Sequence, residues 1–422
     1  MRTWPIVTIG RFGAARGRNG VHAPGHAALS RSAFSPPLRT RLLVLQATPF
    51  CNVACDYCYL PERDSRSRIT LEVVRQAAAR LVEDDLLGEE LTVVWHAGEP
   101  LVVAPAFYDD AIAAIADEVG PGCRVAHSIQ TNATLIDDRW CELFERHRVR
   151  VGVSLDGPRD LHDRHRKTRD GRGTYDAAMR GVAALQAHGV PFHVITVLTS
   201  ASLDRADDLV DFFVAHRITD VGLNFDEQEG FNGASSMAGR EAGHRRLLGD
   251  VLERCMRRAP NVRIRELAHA YDVIAREPPA YRHDRRTYAD NAQVIPFALV
   301  SVACDGTFST FSPELLGQRN ARYHDFALGN VTSESYLACT TRAPFWDLFD
   351  PIRRGVDACK QHCEYFALCG GGSPINKLAE TDSFATTETL YCRLMHQQPI
   401  DVMLEHVEGR LHGPSSIAPT LA

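Results

Sequence analysis

No acidic residue precedes Asp56 in this chain, and no apolar run reaches membrane-spanning length. An apolar signal-peptide core is also missing, so neither secretion nor membrane anchorage is expected, and the protein is read as soluble and cytoplasmic. A basic surplus is absent as well. The net charge of −6 over 422 residues argues against a general nucleic-acid binder. The Arg-, Gly-, Ala-, Ser- and Pro-rich start has the composition of a transit peptide or a disordered tail, and residues 1–40 are read as a disordered tail. Beyond it the chain is ordinary: 45% hydrophobic residues suffice for one large catalytic domain plus a smaller one.

Cysteine is what the chain has in excess. Twelve are present, and seven fall into two groups. Clustering of that kind suits metal ligation by thiolates in a reducing compartment better than disulfide stapling of a secreted scaffold.

From Arg41, short apolar strands alternate with amphipathic helices. Strands are predicted at Leu42–Ala47, Leu91–His96, Arg124–Ile129, Val149–Ser154, Phe192–Leu198 and Asp220–Asn224. Helices are predicted at Thr70–Leu87, Pro105–Val119, Asp137–Arg146, Thr174–His188 and Leu203–His216, with Thr70, Asp137 and Thr174 as N-caps and Gly189 closing the fourth. Such alternation implies a parallel sheet with right-handed crossovers. Six repeats make a partial (β/α)6 barrel, whose chemistry belongs in the loops after the strands. Those loops are indeed the polar, unusual stretches: Thr48–Cys58, His96–Pro100, Gln130–Thr134, Ser154–Gly157, Thr199–Ser202 and Asn224–Glu229. Arg240–Glu277 is helical by pattern, and short strands at Val294–Val302 and Gly306–Phe311 lead into a cysteine-rich stretch. The expected division is a tail (1–40), the barrel (41–235), a helical connection (236–290), a smaller cysteine-rich domain (291–410) and a C-terminal tail (411–422).

The loop after the first strand reads Cys51-Asn-Val-Ala-Cys55-Asp-Tyr-Cys58. Three thiolates so close can wrap one cubane iron–sulfur cluster. Such clusters normally take four protein ligands, so three leave one iron open. An open iron can chelate the amino and carboxylate groups of S-adenosylmethionine (SAM). A structural zinc site is the competing reading, although zinc wants a fourth ligand and paired CxxC spacing.

Cys51, Cys55 and Cys58, with Tyr57 before the last, resemble the cluster motif of the radical SAM superfamily. Trp95-His-Ala-Gly-Glu-Pro100 resembles the GGEP segment of that family, with Ala97 in place of the first glycine. The resemblance implies SAM contacts from Tyr57, from Ala97, Gly98, Glu99 and Pro100, from Thr131 and Asn132, and from Ser154 and Asp156. It also implies one site-differentiated [4Fe-4S] cluster on the three cysteines.

The second group, Cys359-x3-Cys363-x5-Cys369-Gly-Gly-Gly-Ser373 followed by Cys392, looks like the SPASM extension of radical SAM enzymes that modify peptides. It implies a fully ligated auxiliary [4Fe-4S] cluster on Cys359, Cys363, Cys369 and Cys392, serving electron transfer or folding. By the same resemblance Ser373 stands where a second auxiliary cluster would have a ligand, and Cys304 is a candidate remnant of that site. Cys123, Cys141, Cys255 and Cys339 read as small core residues. Gly370–Gly372 allow either close packing at the cluster or a tight turn, and Asn376 and Lys377 either bind peptide or fix the loop.

The stretches Leu45–Asn52, Tyr59–Arg63, Thr310–Gly317, Tyr365–Lys377 and Thr387–Arg393 look like the cyclophane-forming maturases of glycine-rich repeat peptides. The resemblance implies that a 5′-deoxyadenosyl radical takes a β-hydrogen from one residue of a ribosomally made precursor peptide. The carbon radical then bonds to an aromatic ring two positions earlier, and an electron and a proton leave. Asp305, Glu314 and Glu380 are candidate bases, and flavodoxin or ferredoxin is the expected reductant. Formylglycine formation of the sulfatase-maturation type is the alternative chemistry, and a non-catalytic iron–sulfur peptide-binding scaffold the alternative of another class.

Overall fold

The computed structural model describes residues 38–275 and 291–412. Most of the expected N-terminal tail, the end of the 236–290 connection and nearly all of the C-terminal tail lie outside them.

Six apolar segments form strands in chain order: β1 (Thr40–Leu45), β2 (Leu87–Trp95), β3 (Arg124–Thr131), β4 (Arg150–Ser154), β5 (Phe192–Leu198) and β6 (Asp220–Phe225). Each pairs in parallel with its predecessor. Between them run α1 (Leu71–Glu83), α2 (Pro105–Val119), α3 (Asp138–His147), the pair α4 (Arg159–His165) and α5 (Tyr175–Ala187), and α6 (Ala206–Ala215). Aliphatic strand residues such as Leu43, Val93, Val151 and Val194 are fully buried, as in a parallel sheet covered on both faces.

Local chemistry explains the element ends. The Thr70 hydroxyl accepts from Val73 N at 3.2 Å and the Asp137 carboxylate from Trp140 N at 3.1 Å. Thr174 holds the N-cap position of α5 but makes no side-chain capping bond. Its buried hydroxyl donates to Arg166 O instead, and Asp163 accepts from Tyr175 N at 2.8 Å. The single helical stretch expected over 240–277 is two helices, α7 (Glu241–Arg258) and α8 (Arg265–Ala275). Pro260 disfavours helical backbone at Ala259, and the chain adds a short strand, β7 (Arg263–Ile264), parallel to β6.

The boundary drawn at 290/291 does not divide the sheet. β8 (Leu299–Val302) lies parallel to β1, followed by antiparallel β9 (Thr307–Thr310) and β10 (Gly329–Asn330). Among the described residues the sheet thus has ten strands in the order β10-β9-β8-β1-β2-β3-β4-β5-β6-β7. The remainder is helical: α9 (Ala343–His362), α10 (Phe366–Cys369), α11 (Pro374–Thr381) and α12 (Gln398–His412). α12 returns to α7 through a His244–Gln398 hydrogen bond of 2.7 Å and an Arg245–Asp401 ion pair of 3.0 Å. Among the described residues no helix is long and apolar enough to cross a membrane.

Candidate active site

The cysteine loop leaves the C-terminal end of β1 and is held by backbone contacts. Val53–Cys55 pairs antiparallel with Arg166–Thr168, which sets Cys55 opposite Arg166. Arg63 donates to Cys55 O at 3.1 Å and Arg169 to Cys51 O at 3.0 Å. Cys51, Cys55 and Cys58 are free thiols, partly exposed. Two N–H donors lie near their sulfurs: Asn132 Nδ2 is 3.8 Å from Cys51 Sγ, and Arg166 Nη1 is 3.9 Å from Cys55 Sγ. Burial pushes the Cys51 thiol up to about 12 and the Cys55 thiol up to about 11, so only an electropositive partner would make thiolates of them. Soft thiol donors, a missing fourth ligand and N–H groups on sulfur fit an iron–sulfur cluster. Among the described residues no three His, Cys, Asp or Glu side chains converge as ligands of a single ion do.

The turn after β2 crosses directly over this loop. Ala97 and Gly98 both have positive φ, 70° and 79°. A Cβ on Gly98 would collide with the Thr48 carbonyl and come within 2.9 Å of Phe50 O. Glu99 N donates to Phe50 O at 2.8 Å. The Glu99 carboxylate is buried and accepts from Leu101 N (3.0 Å), Thr131 Oγ1 (2.6 Å) and Asn132 N (2.8 Å). It brackets the ends of β2 and β3. Burial pushes it up to about 7, against those three donors.

After β3, Asn132 bridges to the cysteine loop through Asn52 Oδ1 at 2.9 Å. At the end of β4, Ser154 accepts from Gln130 at 2.9 Å. Asp156 follows on the loop after that strand. It is 2% exposed, and both its oxygens are taken. Oδ1 accepts from Arg166 Nη2 and Val197 N, each at 3.0 Å, and Oδ2 from Arg166 Nε at 2.9 Å and from the Tyr57 hydroxyl. Tyr57 and Asp156 thus form one buried unit with Arg166, a residue sequence reading missed because its significance lies in a pairing far along the chain.

A second feature escaped the sequence. Glu227 and Glu229, just past β6, lie near Glu314 and beside Tyr59, Tyr391 and Cys58. Glu229 is 8% exposed. Its Oε2 and that of Glu314 are buried with no hydrogen-bond partner, whereas Glu227 accepts from Asn376 at 2.7 Å. Burial raises all three carboxyls, and repulsion from Glu314 adds to this at Glu227 and Glu229. The other candidate bases serve the backbone: Asp305 accepts from Thr307 N at 2.9 Å, and Glu380 from Leu390 N and Tyr391 N.

The second cysteine group gathers where α9, α10 and the turn before α12 meet. Cys359 and Cys363 end α9, Cys369 ends α10, and Cys392 begins a π-helical turn. Gly370, Gly371 and Gly372 all have positive φ, and a Cβ on Gly372 would sit 3.2 Å from Cys392 Sγ. That resolves the glycine triplet as both a turn and a close approach to sulfur. Cys304 is partly exposed near the β8–β9 turn, while Cys123, Cys141, Cys255 and Cys339 are buried.

The radical SAM superfamily pattern matches residues 45–213. An uncharacterised protein of Synechocystis is 39% identical over 88% of this chain and 93% of its own length. The serine-type anaerobic sulfatase-maturating enzyme of Klebsiella aerogenes is 35% identical over 42% of this chain. The match spans 45% of that enzyme, less than half its length. Among solved structures, anSMEcpe with bound AdoMet and Cp18Cys peptide has a TM-score of 0.68 at 19% identity, covering 88% of this chain and 98% of its own. Streptococcus suis SuiB bound to its precursor peptide SuiA has a TM-score of 0.58 at 18% identity, covering 84% and 76%. These likenesses concern fold. Because the superfamily pattern falls on the strands and loops that bring Cys51, Cys55 and Cys58 to the sheet's C-terminal edge, the chain belongs to the radical SAM superfamily, enzymes that use SAM and a [4Fe-4S] cluster.

Proposed function

We propose that this chain is a cytoplasmic peptide maturase that forms a C–C crosslink, a three-residue cyclophane, in a ribosomally made precursor peptide. Cys51, Cys55 and Cys58 hold the site-differentiated cluster. Ala97–Pro100, Thr131, Asn132 and Ser154 surround SAM, while Tyr57 and Asp156 brace the loop from behind. Cys359, Cys363, Cys369 and Cys392 hold an auxiliary [4Fe-4S] cluster, and a flavodoxin or ferredoxin supplies electrons. Bound together, SAM and the first cluster supply the 5′-deoxyadenosyl radical.

The observation carrying the crosslinking reading is Glu314 Oε2, a buried carboxylate oxygen without a hydrogen-bond partner. Closing a ring onto an aromatic residue releases a proton, and a buried carboxyl raised by its surroundings is suited to accept it. Likeness of fold to proteins solved with bound peptides supports a peptide substrate. Formylglycine formation is the second reading, favoured by the match to the Klebsiella sulfatase-maturating enzyme.

Anaerobic co-expression with the short peptide encoded beside the gene, followed by tandem mass spectrometry, tests this. Loss of two hydrogens, with no backbone fragments inside a three-residue window starting at an aromatic, is expected. Cys51→Ala should leave the peptide unchanged. An unmodified peptide with cluster-loaded wild-type enzyme would refute crosslinking.

A further inference from the structure

We infer that Lys377 poises the Cys359–Cys363–Cys369–Cys392 site to take up an electron, by placing a fixed ammonium on the sulfur of Cys359. The inference rests on the auxiliary-cluster reading above and adds the residue that separates an electron acceptor from a folding staple.

Lys377 lies on α11 and is 2% exposed. Its Nζ has two partners, Cys359 Sγ at 3.2 Å and Gly355 O at 3.3 Å. Among the described residues no carboxylate pairs with it. An ammonium buried without an anion costs several kcal/mol, on the order estimated for unpaired interior charges. The sulfur within reach, Cys359 Sγ, also lies 3.2 Å from Thr387 O and would be an anionic thiolate when it holds the cluster. Cys392 shares the same neighbourhood: a Cβ on Gly372 would lie 3.2 Å from Cys392 Sγ and 3.7 Å from Lys377 Cε. The Thr389 hydroxyl lies a further 3.2 Å from Cys392 Sγ as a second donor.

The choice of lysine is informative. Of the 47 basic residues only Lys167, Lys360 and Lys377 are lysines, and the rest are arginines. At this buried place the chain uses the compact point charge rather than the planar fork.

A four-thiolate iron–sulfur centre is anionic and gains one more negative charge on reduction. Net charge and hydrogen bonds to sulfur set its potential, so a fixed cation on a ligand favours the reduced form. The step is one electron in, with no bond made or broken at the site. In the proposed reaction the electron comes from the crosslinked carbon radical, which becomes closed-shell as it also gives one proton to a base.

The test uses the full chain carrying Cys51→Ala, Cys55→Ala and Cys58→Ala, reconstituted anaerobically with iron and sulfide and titrated with dithionite under EPR. At the potential that half-reduces this parent, K377M should show a reduced-to-oxidised ratio about tenfold lower, a midpoint about 59 mV more negative for a one-electron couple. K377Q, which keeps a donor but not the charge, should fall likewise, and K377R should stay near the parent. An unchanged midpoint in cluster-loaded K377M overturns the inference. If K377M and K377Q hold no cluster, K377R decides: a cluster at the parent midpoint supports the charge, and any other result overturns it. Absence of iron in the parent would instead sink the assignment of the four cysteines.

Discussion

Asp156 braces the cysteine loop from behind. Burial pushes its carboxyl up, yet the Arg166 guanidinium prevails and holds it below the usual carboxylate range. The two side chains are 3% and 7% exposed, and Arg166 also reaches toward Cys55. Removing one partner leaves a buried uncompensated charge, a loss of about 3–5 kcal/mol. Asp156→Asn should therefore lower the urea midpoint of the anaerobic protein by a corresponding amount. Asp156 also bonds the Tyr57 hydroxyl in the same loop, so the variant should reduce iron retention. A variant as stable as wild type would show that the pair is solvated in solution.

At the level of elements, the site is a set of strand ends tied crosswise. The β2 turn rests on the β1 loop, Glu99 joins β2 to β3, and Asn132 returns to Asn52. Gly98 admits no side chain, because its positive φ and the Thr48 carbonyl both exclude one. Gly98→Ala should cut anaerobic 5′-deoxyadenosine formation by more than tenfold, about 1.4 kcal/mol in the barrier. Gly189→Ala is the control. It has a φ of +70° but open space around it, so its cost should be only the roughly 1–2 kcal/mol of left-handed backbone, with turnover unchanged.

For the whole molecule, stability should depend on acid through buried histidines. Burial pushes His127 and His162 down to about 4, far from the ordinary value of 6.5. Their folded forms resist protonation while the unfolded chain accepts it. Their contribution is therefore complete above 6.5 and is lost as pH falls from 6.5 toward 4, with a slope of up to about 1.4 kcal/mol per pH unit for each. Urea midpoints at pH 7.5 and pH 5 should differ, and His162→Gln should flatten that difference. An unaltered slope in the variant would assign the acid sensitivity elsewhere.

The sheet also joins what the sequence divides. β8 lies against β1, so the strand bearing the first cysteine loop is held between β2 and a strand from beyond residue 291. The alternation of strands and helices, the polar strand ends and both cysteine groups were legible because each is written in local spacing and periodicity. The helix at Pro105–Val119 and the strand at Phe192–Leu198 match their expected bounds for that reason. The Asp156–Arg166 pair, the gathering of Glu227, Glu229 and Glu314, and the contact of Lys377 with Cys359 were not legible. Each joins side chains whose meaning depends on burial and on a partner brought near only by folding, and neither charge nor spacing along the chain records that.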